Sequence, residues 1–400
     1  MFELKRRIKL VAFVPLFGQT GDVINEGQLI NALSRYVGSI YCFTFVSFHR
    51  ILRSRTLKSA VSFSNSVKII TLPALPLPYI FLFVNILFNM FMGVICVVIM
   101  RMIKPDIVYV RNRLIAFGLL TLKPFVGKVM AFKFDNFAAD EVLPTIKQKR
   151  VRKVIGKLLL IIDYYTLRHA DQLLVDSKTM ESLVRKKGSI RCDKILICPV
   201  GVDMEKIVKI KERKPPFTKD KVRIGFLGSL AWWQGVDILA EAVAMVKERL
   251  PDVELFIVGD GPMRNKVAEI CRKHRVRFVI TGFVPHEEAL RYLRSFDVLV
   301  LPRRRTSATE ANVPIKVVEA WALGVPVIVT SHEVFKAMCK DGQDVLFVEP
   351  EPEDVAEKIL LLASDRGLRE KLVCNGQMFA KNFDYDEIAK RLIDSIPQER

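Results

Sequence analysis

The sequence predicts an α/β protein of two doubly wound domains, each a parallel sheet covered by helices. Three observations carry this expectation. Short apolar runs alternate with helical stretches through both halves, the turns between run and helix are rich in glycine, and a charged stretch with Pro215 and Pro216 separates the two series. Four hundred residues suffice for two cores, and a composition that is 50% hydrophobic excludes a disordered chain. The expected parts are a first domain over 1–204, a linker over 205–221 and a second domain over 222–382. A last helix is expected over 383–400.

The formal charge of +19 predicts attraction to something negative. No zinc spacing and no module of interleaved aromatic and basic residues accompanies it, so anionic lipid and phosphates lead and nucleic acid is not expected. Seven scattered cysteines without a C-x-x-C pair fit buried thiols in a reducing compartment. The opening MFELKRRIKLVAFVPLFG imitates a signal peptide, but it runs into a glycine turn and an amphipathic stretch, as a first strand would.

In the first half, 8–15 reads as a strand and Gly18-Gln19-Thr20-Gly21 as the turn before a helix over about 25–37. That turn is either plain punctuation or a place where backbone amides meet a ligand. Strands over 40–48 and 67–72 follow. The stretch 79–100 has no charged residue in twenty-two positions, so a membrane span, a buried helix and a helix lying in the bilayer surface all stay open. A span would separate the first three strands from the rest of their sheet, and a core helix of that length usually keeps a polar face. The strand over 107–110 ends at Arg111, and the strand over 129–134 ends at Asp135, with Asp140 and Glu141 beyond. Read plainly, Asp135 is a turn or capping aspartate. In 147–168 a basic beginning meets an apolar second half, which reads as a solvated face or a membrane-surface element.

In the second half, strands over 222–227 and 254–258 run into the loops GSLAWWQG (228–235) and GDGP (259–262), each followed by a helix. The strand over 278–281 leads into GFVPH (282–286). An apolar run over 296–301 then ends in Arg303, Arg304 and Arg305. Pro314 suits a first helical turn, Val317, Val318, Ala320, Trp321 and Leu323 supply an apolar face, and Gly324 supplies the stop before a strand over 325–329. Lys316 and Glu319 therefore sit one turn apart near the start of a helix at the carboxyl end of a parallel strand, where open α/β sheets bind ligands. The arginines, Lys316 and the helix amides would hold an anion, with Glu319 in reach of hydroxyls; the bland alternative is a solvated basic loop. Asp384 and Asp386 have Asp-x-Asp spacing, but a helix start explains them. The five histidines show no ligand spacing, so no metal is expected.

The run PIKVVEAWALGVPVI (314–328) resembles the donor-site helix of the GT-B fold retaining glycosyltransferases of family four, and the order of glycine loops over 224–349 extends the resemblance. It implies a GT-B architecture, with the two domains facing each other across a cleft and the last helix packing back towards the first domain, and transfer of a sugar from a nucleotide diphosphate sugar with retention, with no cofactor beyond that donor. Gly228, Ser229, Gln234 and Gly259 would border the donor, Val284 the base, and Glu319 the ribose. Arg303, Arg305 and Lys316 would meet the diphosphate, and Asp135 the sugar or the attacking hydroxyl. Gly18, Gln19, Thr20, Gly21 and Arg111 would border the acceptor. The chain departs from the family at four positions. Ser229 and Gln234 stand where an Arg and a Lys are usual, Val200 where Asn is more common, and Ala311 where a Glu is usual; either Glu310 takes that catalytic role beside Lys316 through a one-residue shift of the loop, or the chain belongs with relatives in which a Pro-x-Lys variant replaces the usual pattern. Each lost charge-assisted bond is worth roughly 1.5 to 3 kcal/mol, which Arg303 to Arg305 and Lys316 would offset.

Ser229, Gln234 and Ala311 keep one rival open, an inactive glycosyltransferase-like membrane scaffold or subunit, and a related sugar-phosphate synthase with a soluble acceptor is the rival enzyme reading. The apolar and basic segments point to a lipid-linked acceptor and to a cytoplasmic protein held peripherally at the inner face of the cell membrane. The oligomeric state is left open.

Overall fold

The computed structural model describes residues 8–15, 21–47, 62–74, 82–123, 129–137, 148–188, 190–211 and 222–395. Gly18, Gln19, Thr20, Asp140, Glu141 and the 212–221 part of the expected linker lie outside them. Two compact units are present: Met1–Pro199 with Ile388–Arg400, and Val200–Glu387.

The first unit is built on seven strands: β1 (Lys9–Phe13), β2 (Ser39–Ser47), β3 (Val67–Ala74), β4 (Ile107–Val110), β5 (Val129–Phe134), β6 (Gln172–Val175) and β7 (Ile195–Ile197). They form one parallel sheet in the order β3-β2-β1-β4-β5-β6-β7. Strands β4 and β6 are buried along their whole length, which is why they read as apolar runs without alternation. The helices are α1 (Gly21–Leu33), α2 (Leu82–Ile103), α3 (Arg113–Thr121), α4 (Lys149–His169) and α5 (Lys178–Gly188). Asn112 starts α3 by accepting from the amides of Leu114 and Ile115.

Helix α2 removes the membrane-span reading of the charge-free stretch. It is the crossover from β3 to β4, which belong to the same sheet, so it cannot span a bilayer without tearing that sheet apart. No helix among the described residues is long and apolar enough to cross a membrane. One face of α2 packs on α3, where Gly93 lies so close to Gly118 that a Cβ would stand 3.2 Å from its carbonyl carbon. The opposite face leaves Val84, Leu87, Phe91, Val94, Val98 and Met102 exposed. Helix α3 also packs against α4.

The second unit opens with the short α6 (Met204–Ile207). Its strands are β8 (Val222–Leu227), β9 (Val253–Val258), β10 (Arg277–Ile280), β11 (Val298–Leu301), β12 (Val327–Thr330) and β13 (Leu346–Val348). They form a parallel sheet in the order β10-β9-β8-β11-β12-β13. Its helices are α7 (Val236–Arg249), α8 (Arg264–Lys273), α9 (His286–Leu293), α10 (Ser307–Ala311), α11 (Ile315–Leu323), α12 (Glu333–Lys336), α13 (Pro352–Ser364) and α14 (Arg366–Ala380).

Residues 200–204 belong to this unit rather than to the first, because Val202 and Ile207 are in its core and Val202 pairs with Asp384. The last helix, α15 (Tyr385–Ser395), belongs to the first unit from Ile388 onward, where Leu392 and Ile393 line a small apolar cavity with Leu10, Leu33 and Ile107. Strand order reverses between β1 and β4 and again between β8 and β11. In doubly wound sheets the ligand crevice opens at the carboxyl ends of such a pair.

Candidate active site

At the β8/β11 reversal, the loops that follow β8, β9, β10 and β11 come together. Gly228 has φ 131° and Gly259 has φ 143°, and a Cβ on Gly259 would fall 1.9 Å from the Gly228 carbonyl oxygen. Only glycine allows these two turns to touch. A bridge between Gly259 and Gly282 joins the loop after β10, which carries the half-buried Val284. Ser229 is exposed on the rim.

Lys316, Glu319 and Arg303 are not solvated: they are only 7%, 2% and 8% exposed. Lys316 Nζ donates to Gln234 Oε1 at 3.1 Å, lies 4.9 Å above the centre of the Phe226 ring, and occupies the space a Cβ on Gly228 would need. Burial, then the charge of Arg303, brings Lys316 down to about 7 against the pull of Glu319. Arg303 donates to the Asn312 carbonyl at 3.3 Å, its buried Nε has no partner, and burial lowers it to about 10. Among the described residues neither cation has a carboxylate within ion-pair distance. Two buried cations without a counter-anion are costly to maintain, and an anionic ligand would relieve that cost.

One turn along α11, the Glu319 carboxylate is bonded to His286 Nε2 at 2.6 Å. Burial opposes the charge on His286, but Glu319 outweighs it and raises the imidazole above its ordinary value. The sequence offered no signal for this pair, because its members are 33 positions apart on two different helices, α9 and α11.

Arg304 and Arg305 differ from Arg303 in being paired already. Arg304 grips Asp237 through two bonds of 2.9 Å and stacks on Trp232, which fixes the 228–235 loop. Burial opposes the Asp237 charge, but bonds from Arg304 and Lys266 hold the carboxyl at about 2. Arg305 contacts Glu310 at 2.9 Å and Glu349 at 2.8 Å. Glu310 also accepts from the Glu333 amide at 2.8 Å, so its carboxylate serves the start of α12, while Ala311 is buried. His332, fully buried beside Glu310, is lowered to about 4 by burial and by Arg303.

In the first unit, Arg111 and Asp135 meet at 2.8 Å at the carboxyl ends of β4 and β5. The sequence pointed to these two but not to their buried partners Glu26, Tyr109, Lys133 and Asp176. A charged residue at the end of an apolar strand, as at Lys133, is the signal that could have found them. Gly21 enters only as the first residue of α1, whose Asp22 and Glu26 face Arg111.

The low Lys316 value has a thermodynamic consequence. Between about 7 and its ordinary 10.5 the folded lysine is neutral while the unfolded one binds a proton, so stability should rise with pH across this window. Comparing melting temperatures of wild type and Lys316→Met from pH 6.5 to 10 checks this, and the variant should lack that part of the rise.

Residues 221–365 match the family model described as "Glycosyl transferases group 1". An uncharacterized glycosyltransferase of Methanocaldococcus jannaschii is 26% identical over 251 residues, 60% of this chain and 63% of that protein, so the alignment covers less than two thirds of the relative. The phosphatidyl-myo-inositol mannosyltransferase of Mycobacterium tuberculosis is 26% identical over 269 residues, covering 64% of this chain and 68% of that one. The solved sucrose-phosphate synthase of Thermosynechococcus elongatus superposes with a TM-score of 0.78 at 16% identity, over 97% of this chain and 98% of that one. The architecture is therefore GT-B, two parallel-sheet Rossmann-like units, and the unit that buries Lys316, Arg303 and Glu319 is the part that matches the glycosyl transferases group 1.

Proposed function

We propose that the chain is a retaining glycosyltransferase that moves a sugar from a nucleotide diphosphate sugar to a hydroxyl of a lipid-linked acceptor. The observation that carries this reading is the pair of buried cations, Lys316 and Arg303, with no carboxylate at ion-pair distance among the described residues, at the sheet reversal of the unit that matches the family model. A diphosphate placed there would favour the protonated lysine. As the bond from the anomeric carbon to the β-phosphate oxygen breaks, charge grows on the departing phosphate, so both cations and the first amides of α11 stabilise the transition state more than the ground state. The acceptor oxygen bonds to the anomeric carbon on the same face, and its proton goes to the departing phosphate. Glu319, oriented by His286, accepts from the ribose hydroxyls, Val284 borders the base, and Asp135 meets the sugar or the attacking hydroxyl. Gln234 stands where the family has a cation, and here it holds the cation of Lys316 instead. His286→Ala should weaken donor binding about tenfold, the loss of one charge-assisted bond, as read by calorimetric titration.

The lipid acceptor is supported by the surface of the first unit. The exposed apolar stripe of α2 lies on the same helical layer as the start of α4, where Lys149, Arg150, Arg152, Lys153 and Lys157 are exposed. Asp163, the acid of α4, is buried against Arg113, so the charge of this patch is positive. An anionic bilayer surface fits both features and would hold the protein at the cytoplasmic face. The mycobacterial relative is named for a phospholipid acceptor, in agreement with this reading. The test incubates the protein with labelled UDP-, GDP-, ADP- and dTDP-sugars and a membrane lipid extract. Label moving into the organic phase supports the proposal. Label moving only to an added sugar phosphate would favour a soluble-acceptor synthase, and no transfer from any donor would favour a scaffold.

A further inference from the structure

In the first unit the Arg111 guanidinium has all its donors in use. Nε donates to Asp135 Oδ2 at 2.9 Å, and Nη2 lies 2.8 Å from the same oxygen. Nη1 donates to Glu26 Oε1 at 2.8 Å and to the Asp22 carbonyl at 3.2 Å, and Nη2 also donates to Asp22 Oδ1 at 3.0 Å. A guanidinium has five N–H donors, and these contacts take all of them. The side chain is 11% exposed, against 27% for Asp135. Burial opposes its charge, but Asp135, Glu26 and Asp22 keep Arg111 firmly protonated.

The anchor behind it is rigid. Glu26 is fully buried, and its Oε2 accepts from the Tyr109 hydroxyl at 2.7 Å. Lys133, buried as deeply, lies 3.6 Å from Glu26 and 3.2 Å from Asp176, whose carboxyl burial pushes up to about 6 against the lysine charge. The fork of Arg111 thus ties the first turns of α1 to the end of β5.

We propose that Arg111 is a positioning residue: it does not touch the acceptor but fixes Asp135 against the substrate, with Glu26 as its anchor. The proposal rests on the reading of Asp135 as the carboxylate that meets the sugar or the attacking hydroxyl. It replaces the sequence expectation that Arg111 borders the acceptor directly, since an arginine gripping an acceptor phosphate would need part of its fork free.

The test measures nucleoside diphosphate release from UDP-glucose and GDP-mannose, with phosphatidylinositol vesicles as acceptor. The proteins compared are wild type, Arg111→Gln, Arg111→Lys, Asp135→Asn and the Arg111→Gln/Asp135→Asn double variant. Arg111→Gln should lower kcat by about 10- to 100-fold, the effect of a small misplacement of a reacting group, with both KM values within about twofold of wild type. Arg111→Lys should recover part of the loss, and the double variant should be no slower than Asp135→Asn alone, because two residues acting as one unit are not additive. Glu26→Gln, which keeps the shape of the anchor, should show the same loss confined to kcat and covers the case in which Arg111→Gln fails to fold. A loss appearing as a raised KM for the vesicles, or losses that multiply in the double variant, would overturn the proposal. So would a fully active Arg111→Gln beside an inactive Asp135→Asn. A fully active Asp135→Asn would instead remove the reading on which the proposal rests.

Discussion

Lys316→Met is expected to lower kcat/KM for the nucleotide sugar by about 10²- to 10³-fold, equivalent to roughly 3 to 4 kcal/mol of transition-state stabilisation. Lys316 is the buried cation that touches the Gly228 turn, and its partner Gln234 is neutral, so no other side chain on that loop can replace its charge. Methionine fills much the same volume, and removal of an unpaired buried charge should leave the fold intact. The wild-type enzyme should also show a pH signature. Above pH 7 the free lysine is neutral and must take up a proton when the diphosphate binds, so donor affinity should fall by up to tenfold per pH unit. Calorimetry in buffers of different ionisation enthalpy measures that uptake. A Lys316→Met variant with wild-type turnover, or binding without proton uptake at pH 8, would remove Lys316 from the diphosphate site.

Phe91→Asp combined with Val94→Asp is expected to abolish sedimentation of the protein with anionic vesicles. The two side chains are 62% and 50% exposed on α2, on the face turned away from α3. Fully burying each would contribute roughly 1.5 to 3 kcal/mol, so losing both, with two carboxylates added, should reduce partitioning by at least about 100-fold. Neutralising Lys149, Arg150 and Arg152 should cost about 1 kcal/mol per charge, and that loss should shrink at high salt. Neither set touches the core, so nucleotide binding should be unchanged. Equal sedimentation of wild type and variant, or no preference of wild type for anionic over neutral vesicles, would contradict the membrane-facing role of α2.

Much of the fold was legible because β4, β6, β9, β11 and β12 are buried along their whole length and its turns need glycine. The helix expected after the 228–235 loop is found as α7, bounded by the left-handed Gly235. The boundary between the units was less legible, since α6 looks charged and linker-like in sequence while Ile207 alone enters the core. The three arginines after β11 could not be told apart by composition. What distinguishes them is long-range pairing: Asp237 takes Arg304, Glu310 and Glu349 take Arg305, and Arg303 is left buried. The family resemblance put Glu310 forward as a substitute for the glutamate missing at Ala311, yet in the structure its carboxylate bonds to Arg305 and the α12 amide. The charge-free stretch could not be assigned either, because hydropathy counts apolar residues without saying which face the sheet covers.

Binding of a nucleoside diphosphate at the β8/β11 reversal underlies every step proposed for this protein. It is tested most directly by the melting temperature of the purified protein against UDP, GDP, ADP and dTDP. At about a hundred times the dissociation constant, the matching nucleotide should stabilise the fold by roughly 2.7 kcal/mol. The expected result is a rise with one base that is lost in Glu319→Ala and in Lys316→Met. A well-folded protein whose melting temperature none of the four nucleotides raises would contradict the donor site.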